Sequence, residues 1–406
     1  MPHETTLIAT IAAAFVLAFG FGLLASLVKL PPLVGYLVAG VMMGPFTPGF
    51  VGDMALSQQL AEIGVILLMF GVGLHFSIPD LVSVWRIAVP GAIGQILVAT
   101  LMGAGVAALW GWSLPAAIMF GLSLSVASTV VLLRSLERQG KLTSGEGRIA
   151  VGWLIVEDLV MVLALVLIPP VAQAISGDSS SSGASLWIAL GITLAKVALF
   201  VVLALVVGVR LVPWLLERVA RTGSSELFTL GVLAIALGVA IGSAAMFGVS
   251  FALGAFFAGV ILSESDLSHR AGERLLPLQD AFAVLFFVSV GMLFDPGILL
   301  REPLRVLVVL GIIVVGKSAA AFVIVLLFRH AVSTALTVSA SLAQIGEFSF
   351  ILAALGVSLN LLPAQGRDLV LAGALLSITL NSLFFAIQPR IERWMGVKPA
   401  IAAPGT

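Results

Sequence analysis

The sequence predicts an all-α, polytopic membrane protein of about thirteen transmembrane helices. Three observations carry that expectation. Only 10% of the 406 residues are charged and 60% are hydrophobic, with a mean hydropathy of +1.20, whereas soluble domains average about 25% charged residues. Apolar runs recur along the whole chain at roughly 20 residues, the length a helix rising ~1.5 Å per residue needs to cross ~30 Å of hydrocarbon. Basic residues segregate to alternate connections between those runs.

The spans follow in order. Span 1 (7–28) lacks the basic n-region and small-x-small cleavage site of a secretory signal, so it reads as a retained helix. Span 2 (32–50) is interrupted by Gly44, Pro45 and Pro48. Span 3 (57–75) has Glu62 near its start, where it reads as interfacial, and span 4 (87–110) is apolar. Span 5 (114–134) contains SLSVASTVV at 123–131, and span 6 (148–171) contains the adjacent acids Glu157 and Asp158. The polar segment SGDSSSSG (176–183) reads as a flexible external loop before span 7 (186–209), whose Lys196 reads as packing or snorkelling. Residues 226–263 give spans 8 and 9 (226–245, 248–263) or a single re-entrant hairpin. Span 10 is 278–294, span 11 (303–328) holds Lys317, span 12 (333–357) holds SASLAQIGEFSF at 339–350, and span 13 is 366–389.

Fifteen of the twenty Lys and Arg residues fall on one set of alternate connections. The opposite set carries Arg301, Arg305 and Arg367, and Lys196 and Lys317 lie inside spans. Because cytoplasmic loops are enriched in Lys and Arg, this places the N-terminus outside and the C-terminus in the cytoplasm of a bacterial-type inner membrane. The chain also repeats itself. LVAGV (37–41) is echoed by FFAGV (256–260), LLMFGVGLHF (67–76) by LFFVSVGMLF (285–294), and SVAST (125–129) by SLAQI (341–345), at offsets of 219, 218 and 216. Three echoes in the same order indicate a duplication, with repeat one over about 31–171 and repeat two over about 247–390. Seven spans separate equivalent helices, and an odd number inserts the two copies in opposite directions, an architecture found in transporters.

Composition excludes several functions. A formal net charge of zero gives no basic surface for nucleic acid. The absence of cysteine removes thiolate metal sites and thiol catalysis, and the four histidines, His3, His75, His269 and His330, are too scattered for a metal cluster. No phosphate-binding glycine loop or dinucleotide fingerprint appears, which points to an ion gradient as the energy source. No nucleophile–base set can be assembled, so the chain is not expected to be an enzyme.

Ionisable groups inside hydrocarbon cost at least ~2.5–3.5 kcal/mol each on insertion scales, so those present need a reason. Glu157 and Asp158 sit near the middle of span 6. Adjacent helical residues point ~100° apart, so one carboxylate faces a substrate path while the other pairs elsewhere. Lys317, mid-span among small residues, is the natural partner; the bland alternative is a static buried ion pair. Spans 5 and 12 collect Ser, Thr, Gln and Gly at mid-depth, which reads as unwound backbone lining a cavity. Half-helix ends there would replace a cation's hydration shell or balance a carboxylate; the alternative is hydroxyls bonding back to their own turn. Glu347 beside the second break reads as a structural carboxylate or a secondary proton site.

With PPLVGYLVAGVMMGP (31–45), EIGVILLMFGVGLHF (62–76), VED (156–158) and SLAQIGEFSFIL (341–352) on the page, the chain resembles the Kef-type branch of the monovalent cation/proton antiporters, the second monovalent cation:proton antiporter family, and its YbaL-like members in particular. The resemblance runs from about residue 5 to 395. It implies a homodimer in which a rigid dimerisation domain holds a mobile core with two crossed broken helices, moving the ion by an elevator-like shift. Carried over residue by residue, it implies an ion-binding Asp158 preceded by Glu157, crossover groups Ser125, Ser128 and Thr129 in span 5 and Gln344 and Glu347 in span 12, and a charge-compensating Lys317. Glu347 is grouped with Lys317 as charge-compensating. Kef proteins carry Gln where Glu157 stands and electrogenic relatives carry two aspartates, which leaves K⁺ versus Na⁺ and the stoichiometry open at this point. Relatives usually continue into a cytoplasmic nucleotide-binding regulatory domain. This chain ends at Ala-Pro-Gly-Thr, so no cofactor is expected in it.

The expected activity is antiport of a monovalent cation, K⁺ favoured and Na⁺ possible, against H⁺. Burial disfavours a carboxylate's charged form and so lets protons compete with a cation near neutral pH. The alternatives are a ligand-gated K⁺ efflux channel, betrayed by flux far above carrier rates without proton coupling, and a proton symporter of a small solute, which would need a wider, aromatic-lined cavity.

Overall fold

The computed structural model describes residues 6–74, 78–142, 144–175 and 183–394; His3, His75 and the polar segment 176–182 lie outside them. The described residues form helices and connecting turns, with no strand among them. Among the described residues, eight helical stretches are long and apolar enough to cross a bilayer unaided. They are α1 (Thr6–Leu27), α3 (Met54–Leu74), α4 (Ile78–Leu109), α7 (Gly145–Ile175), α8 (Gly183–Leu203) running through a π-turn (Ala204–Gly208) into α9 (Val209–Ala220), α10 (Ser225–Phe247), α12 (Ser268–Met292), and α14 (Pro303–Gly311) running through a second π-turn (Ile312–Gly316) into α15 (Lys317–Leu327). The other five predicted spans are α2 (Pro32–Met43), α11 (Phe251–Ser263), the interrupted pairs α5 (Leu114–Ser123) with α6 (Thr129–Arg138) and α16 (Val332–Ser341) with α17 (Glu347–Ser358), and α18 (Ala364–Trp394). A single turn of helix, α13 (Ile298–Arg301), precedes α14.

Span 2 breaks at the first of its expected interruptions. Helix α2 stops at Met43, where Gly44 and Pro45 break it, so its 12 residues cover only about 18 Å at ~1.5 Å per residue. Its repeat mate α11, with 13 residues, is equally short. Residues 226–263 form two helices, α10 and α11, joined at Gly248. Gly248 adopts φ 69° at the end of α10, a left-handed turn that glycine takes without cost, and the Ser250 hydroxyl accepts from the Leu253 N–H (3.2 Å) to cap α11.

Cα packing divides the chain into two compact units, 1–24 with 35–78 and 160–294, and 25–34 with 79–159 and 295–406. The first has a core of small and flexible side chains, Ala14 and Ala18 from α1, Ala39 and Met43 from α2, and Leu285, Val288 and Met292 from α12. Glycine lets its helices touch backbone to backbone. A Cβ on Gly40 would collide with the Val288 carbonyl and one on Gly291 with the Leu37 carbonyl, locking α2 to α12. The same pattern locks α11 to α3, where Gly259 meets the Phe70 carbonyl and Gly73 the Phe256 carbonyl. Offsets of 219 and 218 residues turn the first contact into the second, 37 and 40 becoming 256 and 259 while 70 and 73 become 288 and 291. Two contacts that exchange in this way are the signature of a two-fold relation between inserted halves.

The second unit holds both interrupted helices. There α4 packs against α7, with Gly91 against the buried Trp153 ring, and α5 against α17, with Met119 against Gly356. Residues expected near the same side of the membrane meet each other. Arg305 lies over the Trp110 ring at 5.0 Å, and Lys141 reaches Thr337 at 3.0 Å.

Candidate functional site

Both helix interruptions are written in short polar side chains that compete with the backbone ladder. In α5 the Ser123 hydroxyl donates to the Met119 carbonyl and that of Ser125 to the Leu122 carbonyl, each at 2.8 Å. Ser341 does the same at the end of α16, to the Thr337 carbonyl at 2.8 Å. Back-bonding is therefore real at these positions, and it accompanies a break rather than replacing one. Five non-helical residues, 124–128, separate α5 from α6, and 342–346 separate α16 from α17.

The interruptions cross at Ser128 and Gln344. The Ser128 N–H donates to Gln344 Oε1 (2.9 Å), and Gln344 Nε2 donates back to the Ser128 carbonyl (3.2 Å). These residues lie 216 apart, the repeat offset, so each meets its own mate. Gly346 makes the approach possible, since a Cβ there would collide with Cα and Cβ of Ser128.

Four buried charges surround the crossing: Glu157 (0% exposed), Asp158 (3%), Lys317 (0%) and Glu347 (1%). Helix α6 begins here, and its free amides attract negative charge. The Ala127 N–H donates to Glu157 Oε2 (2.9 Å), and Glu347 Oε2 accepts from the Ser128 hydroxyl (3.1 Å). Asp158 Oδ2 accepts from the Thr129 hydroxyl (3.1 Å), and Thr129 also meets Glu347 through its hydroxyl and backbone amide. Lys317 follows the second π-turn, and such turns recur at functional sites. Its Nζ donates to the Gln344 carbonyl at 3.0 Å and acts on Glu157 as a nearby positive charge. Glu157 is thus its opposite charge, as expected, while its hydrogen bond goes to a carbonyl just beyond the end of α16, where the helix dipole is negative.

The arrangement leaves one oxygen of each carboxylate unsatisfied: Glu157 Oε1, Asp158 Oδ1 and Glu347 Oε1 have no hydrogen-bond partner. A buried polar atom without a partner costs about 1–3 kcal/mol, and more for a charged group. Of the residues singled out from sequence, Ser125, Ser128, Thr129, Glu157, Asp158, Lys317, Gln344 and Glu347 all belong to this unit and gather at the breaks. Glu62 and Lys196 are exposed and lie elsewhere.

Sequence reading missed two supports. Gln95 of α4, fully buried, donates from Nε2 to the Ser125 carbonyl (2.9 Å), and Asn381 of α18 donates to the Ala340 carbonyl (2.8 Å). Gln95 is an amide side chain within an otherwise apolar stretch of helix, which was the available signal, whereas Asn381 sits among Ser377, Thr379 and Ser382.

A multi-pass helical membrane protein with two crossed, interrupted helices and buried carboxylates at the crossing is a secondary transporter of the sodium/proton antiporter fold. The chain belongs to the family described as sodium/hydrogen exchanger, transmembrane, whose profile matches residues 11–388. It is 62% identical over 388 residues to the putative cation/proton antiporter YbaL of Escherichia coli (strain K12), covering 95% of this chain and 69% of that protein. It is 33% identical over 363 residues to the K(+) efflux antiporter 4 of Arabidopsis thaliana, covering 89% of this chain and 60% of the plant protein. The sodium proton antiporter MjNhaP1 of Methanocaldococcus jannaschii, 17% identical, superposes with a TM-score of 0.69 over 95% of this chain and 99% of that one, which shows the shared fold.

Proposed function

We propose that this chain exchanges a monovalent cation, K⁺ in preference to Na⁺, for protons across a bacterial inner membrane, as a homodimer with its N-terminus outside and its C-terminus in the cytoplasm. The observation that carries the proposal is Asp158, buried between the two breaks with Oδ2 held by Thr129 and Oδ1 free. A carboxylate oxygen and nearby hydroxyls suit a hard cation stripped of water, and the same oxygen takes a proton when the cation leaves. Ser125, Ser128, Thr129 and Gln344 shape the crossing, Glu157 flanks the ion, and Lys317 and Glu347 balance charge. K⁺ is preferred because the K⁺ efflux antiporters of Arabidopsis thaliana are similar along most of this chain.

All of these residues belong to one compact unit, so an elevator-type shift can carry the site without dismantling it. The two repeats, about 31–171 and 247–390, supply the inverted halves that such alternating access uses. The experiment is exchange in proteoliposomes loaded with a trapped pH dye, with K⁺, Na⁺, Li⁺ and Rb⁺ offered in turn. Wild-type protein is expected to respond most strongly to K⁺, and Asp158→Asn to lose exchange. Wild-type rates in that variant would refute the assignment.

A further inference from the structure

The crossed helices are joined twice away from the crossing itself, and the repeat relates the two joints. Helices α5 and α16 are both ten residues long and begin at 114 and 332, so position 337 corresponds to 119, 218 residues earlier. Helices α6 and α17 end alike. Gly140 and Asn360 take φ 64° and 56°, and the next N–H, of Lys141 or Leu361, donates to the carbonyl of Leu136 or Gly356. Lys141 therefore corresponds to Leu361. In the joint of α5 with α17, Met119 packs on Gly356 beside Leu362, an apolar contact. In its mate the same positions carry a hydroxyl and an ammonium. Lys141 Nζ donates to Thr337 Oγ1 (3.0 Å), the Thr337 hydroxyl donates to Glu146 Oε2 (2.9 Å), and Lys141 pairs with that oxygen at 3.1 Å.

Apolar packing suffices in one joint, so what the triangle adds to the other is direction. A hydroxyl that accepts from one neighbour and donates to the next is fixed on both sides. Thr337 is fully buried, while the Lys141 and Glu146 side chains are 28% and 19% exposed, so their charges keep part of their water. The turn that presents them is itself tied, with the Ser144 hydroxyl donating to the Lys141 carbonyl (2.7 Å) and accepting from the Gly147 N–H (3.1 Å). Ser333, one turn before Thr337, also meets Glu146. Glu146 and Asp158 share α7, 12 residues apart, or about 18 Å at ~1.5 Å per residue. That helix is therefore held to the first broken helix at Asp158, through Thr129, and to the second at Glu146, through Thr337.

We propose that Lys141, Glu146 and Thr337 are positioning residues that fix α7 against α16 and thereby set the geometry of the Asp158 site and its choice among monovalent cations. This rests on the antiport reading above and deepens it by naming residues, remote from the ion, that govern selectivity. A site discriminates between ions only as far as its ligands hold their spacing, to within about 0.5 Å. With α7 free to shift against α16, the Asp158 oxygens follow ions of different radius and the preference flattens.

The test is exchange by the reconstituted full chain, read as half-saturating concentration and maximal rate for K⁺, Na⁺, Li⁺ and Rb⁺, with melting in detergent measured beside it. Thr337→Val removes the hydroxyl and keeps the shape of the side chain; Lys141→Gln removes the charge from a partly exposed one. In each, the half-saturating concentration of the preferred cation is expected to rise about tenfold, the lower end of what losing an outer support costs a bound ion, and the spread among the four cations to shrink. Thr337→Ser should behave as wild type. The exchanged pair Lys141→Glu with Glu146→Lys should recover both the affinity and the spread, because the hydroxyl can donate and accept in the opposite sense. Wild-type half-saturation and preference in Lys141→Gln and Thr337→Val, even with a lowered melting temperature, would reduce the triangle to a structural tie and overturn the proposal. An exchanged pair as impaired as the single variants also overturns it. Should Thr337→Val fail to fold, Lys141→Gln and the exchanged pair decide. The antiport reading fails differently, by wild-type protein exchanging no cation or by Asp158→Asn remaining active.

Discussion

Gly346 and Gln95 show how much of the site depends on residues that bear no charge. The Gly346 position touches Cα and Cβ of Ser128, so a methyl group there forces the two breaks apart. Overpacking a close contact costs about 1–3 kcal/mol, and here the displaced atoms carry the hydrogen bonds of Ser128 and Gln344. Gly346→Ala is expected to lower the melting temperature of the detergent-solubilised protein and to abolish exchange; unchanged transport would mean that the crossing tolerates separation. Gln95 holds the Ser125 carbonyl from a different helix. Gln95→Leu fills the same space and strands that carbonyl in the core, at a cost of about 1–3 kcal/mol. Thermal melting should fall accordingly, and preference among K⁺, Na⁺, Li⁺ and Rb⁺ should stay as in wild type, because Gln95 meets backbone rather than cargo.

Among the elements, the two-fold relation makes a prediction that neither half makes alone. Gly40 of α2 and Gly259 of α11 occupy equivalent backbone contacts, against Val288 and Phe70 respectively. Gly40→Ala and Gly259→Ala should therefore destabilise by similar amounts, at least ~1–3 kcal/mol each, since the obstacle is backbone that cannot rotate away. Melting curves of the two variants check this, and a clear gap between them would show that the halves no longer pack alike. The elements themselves were legible in the sequence for a plain reason: a bilayer demands apolar runs of fixed length, and breaks inside them demand residues such as Ser128 and Gly346. What sequence did not disclose was which group each polar side chain would meet. Lys317 read as the partner of a carboxylate because charge seeks charge. Its hydrogen bond goes instead to the Gln344 carbonyl, which becomes available only once α16 has ended and turned its carbonyls inward. Gln95 escaped notice for the same reason, since the Ser125 carbonyl it satisfies is freed only where the helix breaks.

The whole molecule must choose which way to face the membrane, and the structure bears on that choice through three arginines. Arg301, Arg305 and Arg367, the basic residues on the sparse side of the sequence count, each have a carboxylate partner: Asp295, Glu302 (2.9 Å) and Asp368 (3.1 Å). They gather where α13, α14 and α18 begin, around a cavity of about 360 Å³ lined by Asp295, Ile298, Arg301, Glu302, Gln365 and Asp368. That face therefore opposes its few positive charges with acids, whereas the other connections carry fifteen Lys and Arg residues. The absence of cysteine makes the resulting orientation directly measurable, because a single introduced thiol has no background. Thr222, after α9, and Ser358, at the end of α17, are both exposed and are separated by five of the predicted spans. Ser358→Cys should react with a membrane-impermeant maleimide in intact cells, and Thr222→Cys only after the membrane is opened. The reverse pattern would invert the orientation. Labelling of both from one side would require an even number of crossings between them and would overturn the count of five spans.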